Sequence, residues 1–144
     1  AAVPIVPVYY EDGTYGDPVR QISVEKTLPQ IKLLMDRLQE GGEFHITFLG
    51  GEHLMYPQAI QAIGLYTKNL AEQKKIRCEF QIITNGTLIN KQVLDLLAPL
   101  KPTITLSLDG PADVNDSRRP QRNGKSSTEL AIQGLKTLVA RKNE

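Results

Sequence analysis

The stretch FHITFLGGE, residues 44–52, decides how the rest of the chain is read. Phe44, Ile46 and Phe48 alternate with His45 and Thr47, the two-residue period of a strand with one buried face. The run stops at Gly50-Gly51-Glu52, a polar, glycine-bearing tripeptide that marks the strand's end. The device recurs twice. Residues 78–83 alternate Cys78, Phe80 and Ile82 and stop at Thr84-Asn85-Gly86. Residues 103–108 alternate Ile104, Leu106 and Leu108 and stop at Asp109-Gly110-Pro111.

Helical periodicity fills the intervals. Residues 24–38 set Leu28, Ile31, Met35 and Leu38 on one face. Either Ser23 caps this helix, or Thr27 does through a capping box with Gln30 that leaves Pro29 in the first turn. Gly41-Gly42 ends it. Residues 57–75 gather Ala59, Ile60, Ile63, Tyr66 and Leu70, with Lys74 and Lys75 at the negative end of the helix dipole. Asn90 caps a short helix carrying Val93, Leu94 and Leu97. Ser126 and Glu129 form a capping box for a last helix bearing Leu130, Leu135, Leu138 and Val139.

Strict alternation of strand and helix predicts an α/β fold with a parallel sheet and helices outside it. Residues 1–10, AAVPIVPVYY, fit neither period, and Pro4 and Pro7 exclude an ordinary helix or a central strand. If residues 4–10 descend from a first strand and its loop, the chain holds about four (β/α) units. Ligands of such sheets sit at the carboxyl ends of the strands, so the three tripeptides converge on one predicted site.

Bulk properties narrow the function. A length of 144 residues predicts a single domain, residues 1–144. A net charge of +1 argues for neither nucleic acid nor a membrane surface as partner. No apolar run approaches the roughly 18 residues that cross a bilayer. The start lacks a Met and a basic segment before an apolar one, so it reads as a processed end rather than a secretory signal. The lone Cys78 points to a reducing, cytoplasmic compartment, and one thiol cannot hold an iron–sulfur cluster or a cysteine-rich zinc site. A chain that ends after its last helix leaves the final strand with an unpaired edge, which predicts a fragment or self-association through that edge.

FLGGE (48–52), ITNGTL (83–88) and SLDGP (107–111) followed by RRPQRNGKSS (118–127) together resemble the radical S-adenosylmethionine (radical SAM) superfamily. The subgroup they are most similar to is the peptide-modifying one that includes anaerobic sulfatase maturases. The resemblance implies a partial TIM-like barrel, of which this chain is the N-terminal portion. It implies cleavage of S-adenosylmethionine at a [4Fe–4S] cluster to a 5′-deoxyadenosyl radical, which abstracts hydrogen from a peptide or protein substrate. The cluster is held in the family by CxxxCxxC. Laid on this sequence, those cysteines fall on Ala1, Ile5 and Val8, directly before Tyr9-Tyr10; the other reading takes AAVPIVPV as an apolar lead-in, with the cysteines absent or upstream. Alkyl side chains offer iron no lone pair, so the cluster is expected to be absent and the chain itself inactive.

The remaining roles carry over one residue at a time. Gly50, Gly51 and Glu52 match the family's contact with the ammonium of S-adenosylmethionine. Ser107 matches a contact to its ribose or amino-acid part. Arg119 matches the arginine that takes its carboxylate, with the adjacent Arg118 able to exchange roles. Tyr10 matches an aromatic near the adenine, or serves packing. Asn85 braces the strand-end loop or favours a turn, and Asp109 binds a hydroxyl or caps a turn. His53, where the family usually has proline, reads as a loop residue, and His45 as structural. The alternative reading is a cluster-free module that binds S-adenosylmethionine or a peptide, or a scaffold. A generic doubly wound domain lacks its phosphate loop here.

Overall fold

The computed structural model describes residues 22–49, 51–121 and 124–142. Its elements run α1 (Val24–Met35), β1 (Glu43–Phe48), α2 (Pro57–Lys74), β2 (Arg77–Thr84), α3 (Lys91–Leu97), β3 (Thr103–Leu106), α4 (Ala112–Arg118) and α5 (Ser127–Lys142). The strands form one parallel sheet in the order β1-β2-β3, with Phe44 opposite Cys78 and Ile82 opposite Ile104. The parallel α/β expectation therefore holds, with three strands described. The expected first strand, within residues 4–10, lies outside the described residues.

The sheet has two unlike faces. Phe44, Ile46 and Phe48 of β1 and Phe80 and Ile82 of β2 are buried together with Ile31, Met35, Ile60 and Ile63 from α1 and α2. The opposite face is polar. Arg77 pairs with Glu43, and His45 lies 3.4 Å from Glu43 and 3.3 Å from Glu79. Thr47 donates to Gln81 at 3.4 Å, and Gln81 donates to Thr105 at 3.2 Å. A doubly wound sheet carries helices on both faces and reads as continuous apolar strands. One helix-covered face backing a polar one is instead the pattern of a barrel wall.

Several local readings change. Ser23, not Thr27, caps α1: its hydroxyl accepts from the Lys26 N–H at 3.3 Å, and Pro29 sits inside the helix. Thr27 is buried in the first turn and donates back to the Ser23 carbonyl at 2.7 Å, so it is spent inside the helix. α1 ends at Met35 rather than at Leu38. β3 ends at Leu106 rather than at Leu108, which is exposed. Asn90 and Ser126 cap as expected, accepting from the N–H groups of Val93 and Glu129 at 3.0 and 3.1 Å.

α5 turns differently from its leucine pattern. Its buried residues are Ser127, Thr128, Ala131 and Gly134, while Leu135 and Val139 are exposed. The cause is how closely it lies against the end of β2. A Cβ on Gly134 would come within 2.3 Å of the Gly86 carbonyl oxygen, a backbone atom that cannot step aside. Only a small-residue face lets the helix come so near. Gly134→Ala is expected to cost about 1–3 kcal/mol, the usual range for overpacking. Urea denaturation reads it, and an unchanged midpoint would show that α5 can shift without penalty.

Candidate functional site

All three described strands end on the same edge, and Thr84 joins their ends. Its hydroxyl donates to Glu52 Oε1 at 2.7 Å and accepts from the Gly86 N–H at 3.0 Å. Its carbonyl accepts from the Ser107 N–H at 2.8 Å, extending the β2–β3 pairing one rung past β3. Glu52 reciprocates. Oε1 also accepts from the Leu54 N–H at 3.1 Å, capping the short 3-10 turn His53–Met55, and Oε2 accepts from the Asn85 N–H at 2.9 Å. A carboxylate has about four acceptor positions, so Oε2 keeps capacity for one more donor.

Asn85 makes a turn. Its Oδ1 accepts from the Thr87 N–H at 2.9 Å and from the Thr87 hydroxyl at 2.7 Å, an Asx-turn. Gly86 follows at φ +79°, where a Cβ would also lie 2.2 Å from Leu106 Cδ2. His53 is not a solvated loop residue: it is 4 % exposed and meets the Phe48 ring edge-on, centroids 6.2 Å apart. His45 stands on the polar sheet face between two carboxylates, a structural placement as expected.

At the end of β3, Arg119 and Asp109 form a bidentate pair, Nε to Oδ2 at 2.9 Å and Nη2 to Oδ1 at 3.1 Å. Asp109 therefore does not cap α4, whose N-cap is Pro111 with no side-chain bond. The Arg119 guanidinium, reinforced by the charge of Arg118, holds the Asp109 carboxyl below its ordinary value. Arg118 itself is exposed at the end of α4, so Arg119 is the arginine built into the strand end.

Beneath this pair lies a polar junction that the periodic patterns did not reveal. Asn115 on α4 is 1 % exposed and bonds Ser127 and Thr128 at the start of α5. Asp116 Oδ1 accepts from the Ser127 hydroxyl at 3.0 Å, the Thr128 N–H at 2.8 Å and the Thr128 hydroxyl at 2.7 Å. The neighbouring Ser126 hydroxyl first, and then these Thr128 and Ser127 donors, hold the Asp116 carboxyl far below the usual carboxylate range. The signal for it in the sequence is the Ser126-Ser127-Thr128 run, of which the pattern uses only Ser126, as a helix cap. α4 itself went unread because its seven residues carry no apolar stripe.

Cys78 is the second residue of β2, six residues before Thr84 and thus about 20 Å from the strand ends. Burial pushes its thiol up to about 12, so it stays protonated and inert. Among the described residues no group of three or more His, Cys, Asp or Glu could hold a metal ion. Tyr10, Gly50, Ala1, Ile5 and Val8 lie outside the described residues. The structure thus brings Glu52, Asn85, Ser107, Asp109 and Arg119 to one edge. A cavity of about 920 Å³, lined by Leu94, Leu97, Pro102, Ile104, Leu138 and Arg141, opens at the other end of the sheet.

Comparison with known proteins matches this architecture. Residues 10–143 match the family described as Radical SAM superfamily. An uncharacterized protein of Methanocaldococcus jannaschii is 32% identical over 96 residues, 67% of this chain and 32% of its own length. A serine-type anaerobic sulfatase-maturating enzyme of Bacteroides thetaiotaomicron is 31% identical over 64% of this chain and 22% of its own. The radical SAM cyclopropyl synthase TigE of Paramaledivibacter caminithermalis is 29% identical over 70% of this chain and 20% of its own. The solved structure of anSMEcpe with bound AdoMet and peptide superposes with a TM-score of 0.75 at 18% identity, over 95% of this chain and 38% of that one. That likeness shows the fold, a partial TIM-like barrel. The chain spans about a third or less of the length of these relatives.

The Asp116 junction should make the protein acid-sensitive. A carboxyl whose folded value is lowered contributes stability that is complete above its unfolded value of about 4 and is lost as pH falls toward the folded one. Urea midpoints should therefore drop between about pH 4 and pH 2, and Asp116→Asn, which cannot titrate, should flatten that drop. Parallel pH curves for the two proteins would assign the acid loss elsewhere.

Proposed function

The chain belongs to the radical SAM superfamily, and on that premise we propose that it is the N-terminal portion of a peptide-modifying radical SAM core, folding as one domain. In this reading it keeps the seat for S-adenosylmethionine and lacks the ligands for the cluster. The observation that carries the reading is the placement of a carboxylate after β1 and a guanidinium after β3 on the same sheet edge, on either side of the end of β2. Glu52 is braced by Thr84 and Asn85, and Arg119 is braced by Asp109. A zwitterionic amino acid has an ammonium for the first and a carboxylate for the second. A planar guanidinium suits the carboxylate, and the Nη1 donors remain for it beyond the Asp109 pair. Gly50 and Gly51 would allow the ligand close to the backbone, Ser107 would contact its ribose or amino-acid part, and Tyr10 its adenine. Arg118 adds charge, and Asn85 shapes the loop.

The donor set does not fit the family's [4Fe–4S] cluster. The cysteine positions fall on Ala1, Ile5 and Val8, and the chain's single cysteine, Cys78, is protonated and far from the strand ends. No step is therefore assigned to the cluster here, and the proposed chain does not itself generate the radical. Its part is to bind and orient S-adenosylmethionine, chiefly by its amino-acid end. The peptide substrate, which bound anSMEcpe carries, would meet parts of the longer enzymes beyond this span.

A second reading, a cluster-free module that binds S-adenosylmethionine or a peptide, or serves as a scaffold, is favoured by the same missing thiols. Neither reading calls for nucleic acid or a membrane, and none of the described helices is long and apolar enough to cross one. Both place the protein in the cytoplasm. Among the described residues no strand pairs with the outer edge of β3, and the proposed self-association there should appear as a dimer in light scattering at tens of micromolar; a monomer would remove that part.

Anaerobic reconstitution with iron and sulfide is expected to leave no brown chromophore, and a stoichiometric cluster would reverse the assignment of Ala1, Ile5 and Val8. Calorimetric titration with S-adenosylmethionine is expected to show weak binding, on the order of millimolar, reduced about tenfold by Arg119→Ala. No heat with the unaltered protein would leave only the scaffold.

A further inference from the structure

The buried Asn115 side chain ties the segment after β3 to the start of α5. Its Oδ1 accepts from the Asp109 N–H at 3.0 Å. Its Nδ2 gives its two protons to Ser127 Oγ at 3.2 Å and Thr128 Oγ1 at 2.9 Å. Its carbonyl accepts from the Arg119 N–H at 2.8 Å, and its own N–H donates to the Pro111 carbonyl at 2.9 Å. At 1 % exposure none of these groups has water to fall back on.

The direction of each bond is determined. The Ser127 and Thr128 hydroxyls donate to Asp116, so they can only accept from Asn115. The amide oxygen must then face Asp109, whose N–H is a donor; a flipped amide would set donor against donor at that end. No other side chain supplies one acceptor and two donors at this reach. Aspartate would bring no donor, leucine neither, and glutamine an extra methylene into a filled space.

We propose that Asn115 is a positioning residue: it fixes Asp109 and so, through the bidentate Asp109–Arg119 pair, aims the arginine that takes the ligand's carboxylate. This rests on the reading of Arg119 as that ligand-binding group. The geometry supplies the link. Asp109 is held through its N–H by the Asn115 side chain and meets Arg119 bidentately, whereas the Arg119 N–H bond to the Asn115 carbonyl is the last backbone bond of α4, which any residue at 115 would make. α4 has only seven residues and no side-chain cap, so its own ends do not orient it. Asn115 instead docks it onto α5, a helix of 16 residues. The guanidinium's aim is thereby referred to α5 rather than to the loop that carries it.

The test uses the full chain, labelled with ¹⁵N. Hydrogen exchange is followed at the Asp109 N–H and the Arg119 Nε–H in the unaltered protein, in Asn115→Ala, and in Ile63→Val, a buried change in α2 that lowers stability elsewhere. Asn115→Ala should speed both sites by at least about tenfold, as loss of buried hydrogen bonds does, while Ile63→Val leaves their ratio to neighbouring amides unchanged. No change at Arg119 Nε–H in Asn115→Ala overturns the proposal. Should Asn115→Ala not fold, the unaltered protein decides. Arg119 Nε–H protected in step with the Asn115 side-chain protons supports it, and Arg119 exchanging freely beside protected Asn115 protons overturns it. Titration with S-adenosylmethionine separates the two readings. An unaltered protein that binds, with Asn115→Ala binding about tenfold more weakly, carries the effect to the ligand. Equal binding by both overturns the proposal. No binding by the unaltered protein removes the ligand reading of Arg119, and the exchange result then judges Asn115's hold on Arg119 alone.

Discussion

Thr84 touches the ends of all three described strands. One hydroxyl and one carbonyl reach Glu52, the Gly86 N–H and the Ser107 N–H. The strands are parallel, so no hairpin ties their ends, and each is separated from the next by a helix. Something other than chain connectivity must level them. The Glu52 carboxylate does it on one side of Thr84, and the added rung to Ser107 does it on the other. Thr84 is 3 % exposed, so a lost bond there would leave a buried group unsatisfied rather than rehydrated. The strand ends therefore stand as one rigid edge. This is the condition for presenting fixed charges to a small ligand.

The faces of the sheet divide the work. The apolar side binds α1 and α2 into the core, with Phe44, Phe48, Ile60, Ile63 and Ile82 all but inaccessible. The polar side carries paired groups: Glu43 with Arg77, His45 between two glutamates, Gln81 between two threonines. Such half-exposed pairs add little to stability. What they do is keep that face from collapsing onto an apolar neighbour. A barrel wall needs this distinction between outside and inside, and membership in the radical SAM superfamily accounts for it.

The α4–α5 junction uses a different kind of bonding from the rest of the core. Ser127 and Thr128 each stand between an asparagine that donates and a carboxylate that accepts. Directed bonds of this kind specify one arrangement where an apolar contact would tolerate several. The close approach of Gly134 to Gly86 then brings α5 against the strand edge. The basic segment after β3 is thus tied to the same edge as Glu52.

The alternation of Phe44, Ile46 and Phe48, of Phe80 and Ile82, and of Ile104 and Leu106, each halted at a glycine-bearing tripeptide, was enough by itself to determine a parallel α/β sheet whose strand-end segments gather on one edge. Period and turn chemistry are local properties, written in neighbouring residues. The caps at Asn90 and Ser126 were legible for the same reason, and the resemblance to the family rested on the tripeptides in their order. Tertiary structure alone decided that α5 buries its small residues and exposes Leu135 and Val139, because the packing partner, the Gly86 carbonyl, lies far away in sequence. It alone decided that Asp109 pairs with Arg119 rather than capping a turn, and that Asn115 and Asp116 join two helices. Hydrogen bonds between side chains distant in the chain leave no period behind them. They exist only once the backbone has brought donor and acceptor within about 3 Å.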